Sequence, residues 1–181
     1  MNFYISDTHF GHANIIRLCN RPFQDVDRMD NTLINNWNNA VSNKDTVYIL
    51  GDFAFKSKSP IEYLKKLNGK KILILGNHDS DMRKHPENYS KYFDGIYNYL
   101  EISDNIGKET FRVILFHYPI AEWNGFFRNS IHLYGHVHNS KNDSYFIMKN
   151  IKNAYNVGAD ILGFTPRTLK DVMTFNKEFF K

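Results

Sequence analysis

Lys71-Ile72-Leu73-Ile74-Leu75-Gly76-Asn77-His78-Asp79 is the stretch that decides how this chain is read. A short apolar run ends on glycine and passes at once into an amide, an imidazole and a carboxylate. Apolar runs of this length, bounded by Gly and polar residues, predict buried strands. Ligands of open α/β sheets gather outside the carboxyl ends of such strands. The pattern recurs four times. Residues 2–5 lead into Asp7-Thr8-His9, 47–50 into Gly51-Asp52, 113–116 into His117, and 131–134 into Gly135-His136-Val137-His138. Five loops at one sheet edge can converge on one point, and two Asp, one Asn and several His suit a pair of divalent cations.

Between these blocks the chain reads as alternating helices and strands. Residues 13–19 look helical and Pro22 ends them; 27–41 carry Met29, Leu33, Ile34, Trp37 and Val41 at helical spacing. Ser59-Pro60-Ile61-Glu62 has the form of a capping box opening a helix that runs to about Leu67, with Gly69 as its stop. The order β-α-α-β-α-β favours parallel strands with helical crossovers. The second half predicts a hairpin, with strands over 96–102 and 109–116 and a turn over 103–108. Further short strands are expected over 131–134, 145–148 and 154–157, and a final short helix from Thr168. The expected fold class is α/β (α+β), two packed sheets flanked by helices, in one domain over residues 1–181.

Bulk properties narrow the function classes. Hydrophobic residues make up 42% of the 181, which supports a core and excludes a disordered chain. The net charge of +4 comes from dispersed Lys and Arg, so it admits an anionic substrate without indicating nucleic acid. One cysteine, Cys19, excludes an internal disulfide and reads as a core residue of the first helix. No apolar stretch approaches the roughly 18 residues needed to span a bilayer, and no leader precedes the first strand, so a cytoplasmic protein without membrane partners is expected.

Each block alone reads as a turn. As a set they do not, because six of the eight histidines lie within or beside them. In order, the blocks resemble the motifs of the calcineurin-like metallophosphoesterase superfamily, from the first strand to about Val157-Gly158. The resemblance implies a two-sheet β-sandwich flanked by helices, with a two-metal site at the strand ends. Asp7, His9 and His138 would bind one metal, and Asn77, His117 and His136 the other. Asp52 would bridge them. His78 would face the substrate as general acid, with Asp79 as its partner behind. The implied cofactors are two divalent transition-metal ions (Mn, Fe, Zn or Ni). The implied reaction is in-line attack on phosphorus by a hydroxide bridging them.

The expected substrate is a small phosphorylated molecule such as a nucleotide, and a phosphodiesterase leads over a phosphomonoesterase or nuclease. A scaffold built on the same fold is the alternative from another class; it usually goes with lost ligands, and none is missing here. Outside the blocks, His12 reads equally as a substrate contact or a helix cap. Arg21 reads as a phosphate clamp or as a surface residue packed on Phe23. Tyr118, Trp123, Phe126 and Phe127 could stack on a base but favour core or interface, and Arg128 is a candidate rim cation. His132 is expected on a strand face without a chemical role. The lysines of 56–71 are expected on a solvated helix face.

Overall fold

Eight short strands form two four-stranded sheets in a computed structural model that describes residues 1–57 and 59–181. In chain order the elements are β1 (Asn2–Ile5), α1 (Ala13–Leu18), α2 (Val26–Ala40), β2 (Thr46–Ile49), α3 (Pro60–Leu64), β3 (Lys70–Ile74), α4 (Ser80–Lys84), β4 (Gly95–Tyr97), β5 (Tyr99–Ile106), β6 (Glu109–Phe116), β7 (Ile131–Tyr134), α5 (Asp143–Lys149), β8 (Ala154–Asn156) and α6 (Leu169–Phe179). The first sheet, β1-β2-β3-β4, is parallel throughout. The second, β5-β6-β7-β8, has one antiparallel pair, β5 with β6, and is otherwise parallel.

Side chains alternate across each strand, and this assigns the layers. Phe3, Ile5, Val47, Ile49, Leu73 and Leu75 face one core, together with Met29, Leu33 and Trp37 of α2. Tyr4, Tyr48, Leu50 and Ile74 face the opposite way, against Val113, Leu115, Ile131 and Leu133 of the second sheet, and α6 closes this core with Leu169 and Val172. Ile114 and Tyr134 point outward to Trp123 and to Met148 of α5. Both faces of the central strands are thus covered, which is why they read as continuous apolar runs. A parallel bridge between Ser6 and Gly158 joins the two sheets edge to edge, so β1–β3 and β6–β8 all end on the same side.

The two-sheet class expected from the sequence is the one observed. Five local expectations are corrected. Residues 96–102 are not one strand: β4 ends the first sheet at Tyr97, and β5 opens the second at Tyr99. The turn is only Gly107-Lys108, because Ile106 pairs directly with Glu109. Residues 145–148 are helical: Asn142 caps α5, Tyr145 and Met148 are buried three apart, and Phe146 and Ile147 are exposed. Four apolar residues cannot separate strand from helix by periodicity, and a crossover was needed to make β7 and β8 parallel. Ser59 precedes Pro60 as expected, yet its side chain makes no capping bond and α3 stops at Leu64. Of the lysines of 56–71, Lys58 lies outside the described residues. Lys71 is buried, donating to the carbonyls of Leu67 at 2.8 Å and Gly69 at 2.7 Å.

Candidate metal centre

Every ligand block leaves the carboxyl end of a strand: Asp7 and His9 after β1, Asp52 after β2, Asn77 after β3, His117 after β6, and His136 and His138 after β7. Five of these residues hold left-handed backbone, Asp7 (φ 55°), His9 (51°), Asp52 (53°), His136 (70°) and His138 (50°). A non-glycine residue there costs on the order of 1–2 kcal/mol. Five such residues at one point indicate turns held by the surrounding fold to aim side chains. Gly76 and Gly135 serve the same convergence. A Cβ at Gly76 would meet Asp52 Oδ1, and one at Gly135 would meet Ser6 Oγ and Asp7 Oδ2.

The carboxylates are anchored by amides on one side. His136 N–H donates to Asp7 Oδ2 at 3.0 Å, and His78 N–H donates to Asp52 Oδ1 at 2.8 Å. Asp52 Oδ2 then stands 3.7 Å from His9 Nε2 and 3.7 Å from His117 Nε2, between the two halves of the site. His117 Nδ1 lies 2.6 Å from the Leu50 carbonyl. In the neutral ring it donates there, and the Nε2 lone pair faces Asn77 Oδ1 at 3.1 Å. Asn77 Oδ1 is also 3.0 Å from His136 Nδ1.

Among the described residues three donor groups have their atoms within 4.8 Å of one another: Asp7, His9 and His138; Asp7, Asp52 and His117; and Cys19, His138 and Asp160. The His9 ring tests the fit. Both its nitrogens are buried, and neither has a hydrogen-bond partner among the described residues. A buried polar atom without a partner costs about 1–3 kcal/mol, and a bound metal ion would remove that cost at one of the two His9 nitrogens.

At His9 and His136 the electrostatics favour the metal-binding form. Burial first, then the neighbouring His138 and Arg21, push His9 far below the ordinary histidine value. Burial also lowers His136, helped by His117 and opposed by Asp7 and Asp52. Imidazole binds metal only when neutral, so both shifts favour binding. Asp52 is raised by burial, with His117 opposing. His138 differs. Burial alone would lower it, but bonds to Asp160 and Cys19 and the charge of Asp7 bring it up to about 10.

Asp79 does not stand behind His78. Its buried carboxylate accepts the backbone N–H groups of Asp52 (2.8 Å), Gly76 (2.8 Å) and Phe53 (3.1 Å). It locks the β2 and β3 loops together and has no bond to the His78 ring, which corrects the role expected of it. His78 itself is at the rim, its side chain 34% exposed, with Nε2 3.9 Å from Asp52 Oδ2. The Phe55 ring covers it at 4.1 Å between centroids.

Arg21 is neither a phosphate clamp nor a surface residue. Its side chain is fully buried, Nε and Nη2 fork onto Asp160 at 2.8 and 3.2 Å, and Nη2 and Nη1 donate to the carbonyls of Asp7 (2.7 Å) and Thr8 (3.0 Å). The fifth N–H, on Nη1, lies 3.5 Å from Met29 Sδ, so no donor is left for a substrate. His12 makes no side-chain capping bond to α1. Its ring lies 5.3 Å from His9 and 4.8 Å from Phe55, and its Nδ1 is buried without a partner among the described residues. Tyr118 stacks edgewise on His136 at 4.8 Å, whereas Trp123 is buried and Phe126 packs on it. Phe127, 84% exposed, leaves the core reading. Arg128 is exposed beside Arg112, and His132 is buried on β7 as expected.

Asp160 was missed in the sequence. It lies 2.8 Å from His138 Nδ1, and both of its oxygens meet Arg21. Its signal was available: Val157-Gly158-Ala159-Asp160 repeats, after β8, the strand-glycine-carboxylate order of Gly51-Asp52.

Comparison with known proteins agrees with this geometry. The family model described as calcineurin-like phosphoesterase matches residues 3–162. An uncharacterised protein of Methanocaldococcus jannaschii is 36% identical over 170 residues, 92% of this chain and 86% of its own length. The Gene 66 protein of Mycobacterium phage L5 is 40% identical over 90 residues, 48% of this chain and 42% of its own. A crystal structure of a protein of unknown function from Aquifex aeolicus superposes with a TM-score of 0.73 at 28% identity, covering 96% of this chain and 98% of that one. Among the described residues no helix is long and apolar enough to cross a membrane. With its motifs in order, its strand-end donors converging and its model match running through both sheets, the chain belongs to the calcineurin-like phosphoesterase family.

Proposed function

We propose that this protein is a metal-dependent phosphodiesterase acting on a nucleotide or a similar small phosphodiester, with two divalent transition-metal ions as cofactors. The observation that carries the metal dependence is the His9 ring, buried with two unpartnered nitrogens beside Asp7, His138 and Asp52. Asp7, His9 and His138 would hold one ion, Asn77, His117 and His136 the other, and Asp52 would be shared. Imidazole, amide and carboxylate donors suit Mn, Fe, Zn or Ni. Bound there, such ions supply Lewis acidity and lower the pKa of water.

The chain's own groups do the rest. Asp79 keeps the β2 and β3 loops in register, so Asp52 and Asn77 would meet the ions already aligned. His78, at the rim, delivers a proton to the leaving oxygen, and the Phe55 ring packs against one side of it. Two features support a diester. Arg21, whose guanidinium holds the loop after β1, is fully committed to Asp160, backbone carbonyls and Met29 Sδ and adds nothing to hold a dianion. Beyond His136 an aromatic surface continues through Tyr118, Phe116 and Tyr99 at centroid spacings of 4.8, 5.5 and 6.4 Å. Bases stack on such surfaces.

The test compares kcat/KM for bis-nitrophenyl phosphate and nitrophenyl phosphate with Mn or Ni added. A panel of cyclic nucleotides, dinucleotides, mononucleotides and short oligonucleotides follows. The diester is expected to be the better substrate, and a clear monoester preference overturns the reading.

A further inference from the structure

His138 belongs to two donor clusters. Its imidazole stands with Asp7 and His9 in one, and with Cys19 and Asp160 in the other, donor atoms lying within 4.8 Å of one another in each. A single ring cannot serve both equally, and the hydrogen bond at one nitrogen decides which lone pair is offered. Asp160 Oδ2 lies 2.8 Å from Nδ1, while Nε2 is the nitrogen on the Asp7 side, 3.9 Å from Oδ1. Thiolate, imidazole and carboxylate together would attract a thiophilic cation. Arg21 stands in the way: its fork holds both Asp160 oxygens, with side chains 0% and 1% exposed.

We propose that Arg21 and Asp160 are a positioning pair for His138. Asp160 aims Nε2 at Asp7 and His9, and Arg21, by holding both Asp160 oxygens, closes the Cys19–His138–Asp160 cluster to cations. The inference rests on reading His138 as a ligand of the centre. Arg21 also carries the Asp7 and Thr8 carbonyls, so one buried guanidinium sets the loop after β1 and the ring after β7 together. Its planar fork suits this and a lysine would not, since an ammonium cannot take both oxygens and two carbonyls in one plane.

The probe is Co(II), titrated into the metal-free full chain. It reports affinity by chelator competition, and any bound thiolate by its charge-transfer absorption. Wild type should bind Co(II) without a thiolate band, and Cys19→Ser should leave that spectrum unchanged. Asp160→Asn should bind roughly 10–100-fold more weakly, the usual effect of losing a carboxylate behind a ligating histidine. Arg21→Met should acquire a thiolate band that the Arg21→Met, Cys19→Ser double variant lacks. Arg21→Lys, which keeps the charge, should show the same band more weakly and covers the case in which Arg21→Met does not fold. A thiolate band in wild type, no band in the Arg21 variants, or unchanged affinity in folded Asp160→Asn each overturns the proposal. No Co(II) binding by wild type at all would instead overturn the ligand reading beneath it.

Discussion

The Asp79 carboxylate accepts the Asp52 backbone N–H at 2.8 Å with Oδ2, and the same oxygen takes the Gly76 N–H at 2.8 Å. One buried oxygen therefore ties the loop after β2 to the loop after β3, the two that carry Asp52 and Asn77. Removing such an acceptor leaves buried amide donors unpaired at about 1–3 kcal/mol each. Asp79→Asn keeps one acceptor oxygen and sets an NH2 donor against the Phe53 N–H, or against those of Asp52 and Gly76, and should destabilise the fold by roughly 1–3 kcal/mol. Metal content should fall with it. Thermal unfolding and metal analysis check this. A variant with wild-type stability and metal content, slowed only on poor leaving groups, would return Asp79 to the role of partner to His78.

Asp52 is expected to be shared by both halves of the centre, because its Oδ2 is 3.7 Å from both His9 Nε2 and His117 Nε2. The saturated wild type should carry two transition-metal ions per chain. Asp52→Ala should weaken both sites, whereas Asn77→Ala should weaken one. One ion in saturated wild type, or an Asp52→Ala protein that keeps two, sinks the assignment.

His78→Ala should cut turnover by roughly 10²–10⁴, the range for loss of a general acid, with metal content near wild type. The ring is at the rim rather than in the donor clusters, with Phe55 packed against it at 4.1 Å and His9 edgewise at 5.4 Å. The loss should shrink for a nitrophenolate leaving group, which needs little protonation. Equal losses across leaving groups would assign His78 to substrate binding instead.

What was legible in the sequence was whatever the strand-end pattern carries. Asp7, His9, Asp52, Asn77, His117, His136 and His138 each follow an apolar run, and the fold brings all seven to one edge. Partners that depend on burial were not legible. Arg21 reads as an exposed cation until the loop after β8 places Asp160 against it 139 residues away. Asp79 reads as a partner for the neighbouring His78, since its true partners are backbone amides that every residue type has. Tyr145 and Met148 fit strand or helix alike, and only the need for a crossover between parallel β7 and β8 separates the two.

Acid stability should carry the mark of His132. This ring is fully buried on β7, stacked near Trp123 and Tyr134, with Nδ1 3.3 Å from the Ile114 carbonyl and Nε2 3.2 Å from that of Tyr118. Burial lowers its pKa from 6.5 to about 4, although the two carbonyls pull the other way. Above about pH 6.5 the ring is neutral in both folded and unfolded chains, and the fold bears no proton-linked cost. Between about 6.5 and 4 the unfolded chain binds a proton that the folded chain refuses, so stability falls as pH falls through that window. At about 1.4 kcal/mol per unit, the full effect is of order 3 kcal/mol. His132→Gln keeps a donor for one carbonyl and cannot titrate. Its stability relative to wild type should therefore rise steadily as pH drops from 6.5 to 4, whatever the difference at neutral pH. Denaturant unfolding of the metal-free proteins across that range measures this without the confounding loss of ligands' metal. A difference that stays flat with pH would mean that His132 is protonated in the fold, bridging both carbonyls as an imidazolium.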